Sequence, residues 1–137
     1  MKTEHKLAIY ELLNRAAYYF DVRDTDRLEA CFLEDAQMLV EIDGGDTYGP
    51  FDGRGAIMEL MRGTLEAQKD KRRHIICDVF FDAEDDNEAT VVSTLVVTSV
   101  DNDAMSLVTS GVYRDVVRRT DSGWLIADRH LGLDRGF

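Results

Sequence analysis

From His74 to Leu133 the chain is written almost entirely in strand-forming residues, and this feature limits its fold more than any other. HIICDVFFD, ATVVSTLVVTSV, MSLVTSGVYRDVV and WLIADRHLGL are rich in Val, Ile, Thr and aromatic residues, the types that pack well on a pleated surface. Only AEDDNE, DNDA and TDSG separate them. Short polar links of this kind join antiparallel neighbours, because a crossover to a parallel strand needs about a dozen residues or more. The second half of the chain is therefore predicted to be a meander of long strands. Whatever covers it must come from the first half.

The first half supplies helices. Ile9, Leu13, Ala16 and Phe20 recur at helical spacing, so residues 4–20 are predicted as an amphipathic helix with Tyr18 and Tyr19 near its end. Asp24 or Asp26 caps a second, shorter helix reaching to about Leu33, with Asp26 and Glu29 at capping-box spacing. Ala36–Ile42 reads as a strand ended by the turn-rich DGGDTYGP. Gly53 to about Lys69 forms a third helix, with Lys69, Lys71, Arg72 and Arg73 at its negative, C-terminal end. Three helices followed by a curved sheet of four to six strands give an α+β domain with the helices on one face. A bent sheet closed over by helices encloses a cone, and such concavities suit small molecules.

Composition narrows the function. A chain of 137 residues is read as one domain spanning 1–137. With 45% apolar residues and one proline it has the means to collapse, which excludes a disordered chain. Its 27 acidic against 16 basic residues leave a net charge of −11. That field repels nucleic-acid phosphates and anionic lipid, so neither nucleic acid nor membrane is expected as a partner. No apolar run approaches the roughly 18 residues of a membrane span, and MKTEHKLAIY lacks a signal-peptide core. A soluble, cytoplasmic protein is expected.

Few side chains here are suited to chemistry. Cys31 and Cys77 lie in apolar runs and are expected to be buried free thiols. Asp82–Glu88 lacks the glycine and ligand spacing of a calcium loop and reads as a solvated hairpin tip. His5, His74 and His130 show neither HxH nor HExxH spacing, so no metal site is expected. The histidines remain the groups able to move protons near neutral pH. His5 precedes the core of the first helix and is expected to be exposed. His130 points in or out depending on register. His74 opens a strand beside the basic cluster.

The string Asp21-Val22-Arg23-Asp24-Thr25-Asp26-Arg27-Leu28, followed by Glu34-Asp35-Ala36, resembles the opening of the SnoaL-like proteins of the nuclear-transport-factor-2-like superfamily. Within that group the pattern is similar to scytalone dehydratase and lindane dehydrochlorinase. Gly53-Arg54-Gly55-Ala56-Ile57, His74, Gly111-Val112-Tyr113-Arg114-Asp115 and Gly123-Trp124-Leu125-Ile126 with Arg129 follow in the family's order, so the resemblance covers nearly the whole chain. It implies a cone-shaped, curved, mostly antiparallel sheet covered by three helices, the cystatin-like α+β barrel. It also implies that Asp21 pairs with His74 as a catalytic dyad. A carboxylate accepting from one ring nitrogen leaves the other as a base and stabilises the imidazolium that forms.

This sequence departs from the dehydratase at three places. Its two tyrosines fall on Phe20 and Val40 here, and its second histidine falls near Ser99. Tyr113, Tyr19, Tyr48 and Arg129 are the candidates for substrate binding, with Tyr113 first because its strand borders the cone in relatives. Arg129 either pairs with Asp115 for structure or holds an anionic substrate or leaving group. The pocket shape is expected to depend on which of Phe20, Leu39, Met58, Met61, Phe80, Val96 and Trp124 line the cone, and on closure by the turn at 43–50.

The resulting expectation is a cofactor-independent lyase or isomerase acting on a small hydrophobic cyclic or aromatic molecule. The alternatives are the non-catalytic small subunit of a ring-hydroxylating dioxygenase, or a binding protein for a hydrophobic ligand. A homodimer or homotrimer is expected in each case, because the half-apolar outer face at 90–100 needs cover.

Overall fold

The computed structural model describes residues 1–137. Helices α1 (Thr3–Asp21), α2 (Thr25–Glu29) and α3 (Arg54–Ala67) pack on a six-stranded sheet. Its strands are β1 (Phe32–Ile42), β2 (Thr47–Asp52), β3 (Lys71–Glu84), β4 (Glu88–Asp101), β5 (Ala104–Thr120) and β6 (Gly123–Leu133), in the spatial order β2-β1-β6-β5-β4-β3. All neighbours are antiparallel except β1 and β6, which run parallel and bring Met38 beside Arg129 and Val40 beside Leu131. This is the α+β, cystatin-like architecture, with a mixed and curved sheet. No helix is long and apolar enough to cross a membrane.

Helix α1 buries Ile9, Leu13 and Ala16 against the sheet, and α3 buries Ile57, Met58, Met61 and Leu65. Phe32, Leu28, Ile126 and Val117 complete the centre of the core. Each large side chain fully removed from water contributes about 1.5–3 kcal/mol, so these few contacts hold helices to sheet. Gly111 lets β5 press against β6, because a Cβ there would collide with the backbone oxygen of Gly132. Glycine inside a strand commonly marks such a close approach.

Several boundaries differ from expectation. The second helix ends at Glu29, Ala30 and Cys31 make a turn, and Phe32 and Leu33 already belong to β1, which begins at Phe32 instead of Ala36. Its cap is Asp24, whose carboxylate accepts from the Arg27 N–H at 3.2 Å. Half of the turn-rich DGGDTYGP belongs to β2. The third helix stops at Ala67, and Lys71, Arg72 and Arg73 lie in β3. His5 is half-buried and accepts a hydrogen bond from Trp124 Nε1 at 3.1 Å, because the start of α1 packs over β6. Cys31 is buried, whereas Cys77 is only half-buried beside the bulge at Asp78.

Candidate active site

The site is assembled from the last turn of α1 and the inner face of β3. Helix α1 closes with the Arg23 N–H donating to Phe20 O and the Asp24 N–H donating to Tyr19 O, while Arg23 sits in the left-handed region at φ 62°. Glycine usually fills that position. Arginine takes it here because its guanidinium reaches α3 and donates to the carbonyls of Leu65 and Gln68, both at 2.6 Å. The end of α1 is thereby tied to the end of α3, and Asp21, its last residue, is held against β3.

Asp21 grips His74 twice. Oδ2 accepts the His74 backbone N–H at 2.9 Å, and Oδ1 lies 2.6 Å from Nδ1. An ionised carboxylate can only accept, so Nδ1 carries the proton and Nε2 keeps its lone pair in the neutral ring. Nε2 has no hydrogen-bond partner in the protein and is not sealed off. The Phe20 ring stands edge-on to the imidazole with centroids 5.0 Å apart and fixes its tilt. The side chains of the pair are 6% and 14% exposed, Asp21 being the more buried. The carboxylate is therefore shielded while the imidazole keeps an opening.

Deeper in the cone, Arg129 on β6 and Asp115 on β5 face each other across the strand pair. Arg129 Nε donates to Oδ1 at 2.7 Å and Nη2 to Oδ2 at 3.1 Å. This fork geometry is the strong form of a carboxylate pair. Burial works against the Arg129 charge, but Asp115 and Tyr113 more than offset it, so the guanidinium is held above its ordinary pKa. Its charge stands 4.1 Å from the centre of the Tyr113 ring. Burial, opposed by Arg129 and helped by Asp115 and Asp21, pushes the Tyr113 phenol up, so it stays protonated as a donor. Neither Arg129 Nη1 nor the Tyr113 hydroxyl spends a hydrogen bond on the protein, and neither is closed off.

These groups border one cavity of about 90 Å³. His74, Tyr113, Arg129 and Tyr48 line it, among mostly apolar neighbours such as Phe20, Met61 and Leu95. Tyr19 does not. One residue before Phe20, it is turned about 100° around the helix, where its hydroxyl accepts from Arg15 at 2.8 Å and Arg27 lies over its ring. Leu39, Met58, Phe80, Val96 and Trp124 also lie outside the lining, since strand parity or the core claims them. His130 points to the outer face and meets Glu41 at 3.1 Å. Among the lining residues not expected at the site are Gln68, Arg72, Thr109 and Phe137. Arg72 was findable, being two residues before His74 on the same face of a strand. Phe137 carried no pattern; it arrives because Thr109 and Ser110 hold the segment at Asp134 and Arg135. No three His, Cys, Asp or Glu side chains come together as a metal-ligand set.

Solved structures with this fold are numerous. An NTF2-like protein with a cystatin-like fold from Novosphingobium aromaticivorans is 26% identical, with a TM-score of 0.81 over 98% of this chain and 84% of that one. Rv3472 from Mycobacterium tuberculosis, a protein of unknown function, is 29% identical, with a TM-score of 0.78 over 95% of this chain and 72% of that one. A candidate scytalone dehydratase from Novosphingobium aromaticivorans is 22% identical and shares the fold, with a TM-score of 0.76 over 96% and 88%. No curated protein matches the sequence. The model of the SnoaL-like domain matches residues 1–130. With that match over almost its full length, and the sheet and helices arranged as described, the chain belongs to the SnoaL-like domain family.

Proposed function

We propose that the protein is a cofactor-independent lyase or isomerase that removes a C–H proton from a small hydrophobic cyclic or aromatic molecule, with His74 as base and Asp21 as its partner. The 2.6 Å approach of Asp21 Oδ1 to His74 Nδ1, with Nε2 left unpartnered beside the cavity, carries this reading. In the reaction Nε2 takes the proton, and the imidazolium is stabilised by the Asp21 carboxylate. The freed electron pair forms a double bond as a hydroxide or halide leaves, or is held as an enolate and reprotonated elsewhere. Tyr113 and Arg129 Nη1 donate to the oxygen or leaving group that gathers negative charge. Preorganised donors in a dry site are worth several kcal/mol to such a transition state. Tyr48 stands at the mouth and contacts the ring from outside.

A cavity lined by open donors argues against a purely structural subunit, because such a subunit has no use for unpaired groups facing an interior space. Self-association is part of the reading. Ile75, Phe80 and Val112 are about half exposed on the strands β3 and β5, and a second copy covers them in a homodimer or homotrimer. Sedimentation at micromolar concentration as a monomer would contradict this.

The function is tested by exchange in heavy water. A panel of small cyclic ketones and β-hydroxyketones is incubated with the protein and followed by NMR. The wild type is expected to exchange α-protons or to form the unsaturated product. His74→Ala and Asp21→Asn are expected to lose about 10²–10⁴-fold while remaining folded. Equal rates in folded variants would remove the dyad from the reaction. Binding of the panel without exchange would instead favour a ligand carrier.

A further inference from the structure

His74 borders a second concavity. On its other side lies a groove of about 540 Å³, which shares Phe20, Gln68, Arg72 and His74 with the apolar cavity. Five of its lining residues are basic (Arg23, Lys69, Lys71, Arg72 and Arg73) and two are acidic (Asp21 and Asp70). Both acids are already engaged. Asp21 holds His74, and Asp70 accepts from Arg72 at 3.0 Å and from the Ser99 hydroxyl. Of the cations only Arg72 is spent on a carboxylate, and Arg73 donates to the Arg72 carbonyl at 3.0 Å. Arg23 and Lys69 donate to the carbonyls that end α3, which accounts for their placement at a helix C-terminus. Lys71 and Arg73 meet no carboxylate and sit beyond the helix, on the edge strand β3. A surplus of positive charge in a molecule of net charge −11 is thus gathered where the groove meets the imidazole.

The cavity itself is small. An engineered protein cavity of about 150 Å³ holds benzene, and this one measures about 90 Å³. A ligand that presents a ring or chain to His74 must leave part of itself outside, and the groove is the space that adjoins that residue.

We propose that the molecule handled at His74 carries an anionic group, a carboxylate or a phosphate ester, which lies in this groove against Lys71 and Arg73 while the apolar part enters the cavity. The inference rests on the cavity being the ligand site and adds the chemical class of what fills it. The charge serves capture and orientation, since a cleft lined by one sign of charge raises both local concentration and on-rate.

The test uses octanoate, octyl phosphate and 1-octanol as probes. Binding is measured by titration calorimetry, and His74 is followed through its imidazole NMR resonances. All three probes are expected to shift the His74 signals. The two anions are expected to bind at least about tenfold tighter than the alcohol at low salt, with the advantage shrinking as ionic strength rises. In Lys71→Glu/Arg73→Glu, whose side chains are exposed and carry no structural bond to a carboxylate, the anions are expected to lose that advantage while 1-octanol binds as before. Equal affinity for anions and alcohol would overturn the proposal while leaving the cavity reading intact. An anion preference that survives the double substitution would overturn it too, and would assign the anion to Arg129. No shift of His74 with any probe would remove both the proposal and the cavity reading. A preference for one anion over the other tells phosphate from carboxylate chemistry.

Discussion

Two carboxylates grip a basic side chain around the same cavity, and they do it in opposite ways. Asp115 and Arg129 sit on neighbouring strands inside the sheet, 0% and 5% exposed as whole residues, with a two-point fork between carboxylate and guanidinium. Asp21 and His74 join a helix end to an edge strand, with one bond to the backbone and one to an imidazole whose second ring nitrogen is left without a partner. The first pair is a fixed charge set into the scaffold. The second is the part of the site to which the proposed function assigns the proton, and it stands where the fold leaves an opening. On that reading one fold separates holding from reacting: the deep pair keeps the cone polar on one wall, and the edge pair is left for the chemistry.

Each half of that contrast can be broken separately. Asp115→Ala strands a buried guanidinium, and the protein is expected to lose about 3–5 kcal/mol, read by urea unfolding. Arg129→Met with Asp115→Leu is expected to recover most of this loss, because buried ion pairs replaced by apolar side chains of similar volume are often near neutral. Gly111→Ala, which drives a methyl group into the Gly132 backbone beneath the central strands, is expected to cost about 1–3 kcal/mol. His74→Gln is expected to change stability by under about 1.5 kcal/mol, roughly the net worth of one hydrogen bond, while removing proton exchange. A larger cost would mean that the edge pair is scaffold after all.

The smallest effect concerns acid. The Ser99 hydroxyl, then Arg72, holds the Asp70 carboxyl below its usual value despite the penalty of burial. A depressed carboxylate stabilises the fold at pH values above its unfolded pKa, and that stabilisation is lost as pH falls through the folded value. Ser99→Ala is therefore expected to lower stability slightly at pH 7. The difference from wild type should hold at neutral pH and shrink as pH falls below the ordinary aspartate pKa of about 3.9 toward the lowered folded value. Unfolding curves across that range check it.

The legible parts of the molecule are those with local signals. The meander β3–β6 follows from strand-forming runs broken by turn residues, and α1 and α3 follow from helical spacing. Strand β2 was hidden because Gly49 and Pro50 lie inside it, and both are residues that normally mark turns. The five-residue α2 was too short to end by periodicity. At the site, Asp21 and His74 were marked by family order, whereas the phase of α1 decided against Tyr19 in favour of Phe20. The hold of Arg23 on α3 spans 42 and 45 residues, a distance over which sequence pattern has no reach.

The parallel pairing of β1 with β6 has a consequence for biosynthesis. Met38 meets Arg129 about ninety residues later in the chain, so during translation β1 waits with one edge unpaired until the final strand emerges. Contacts of such long range slow folding, and an unpaired edge on a nascent chain invites aggregation. The same closure that brings Arg129 to the cone also gives β1 its inner neighbour. A fragment that stops before Gly123 would thus lose the neighbour of its first strand as well as its buried cation, and would fail as a folding unit.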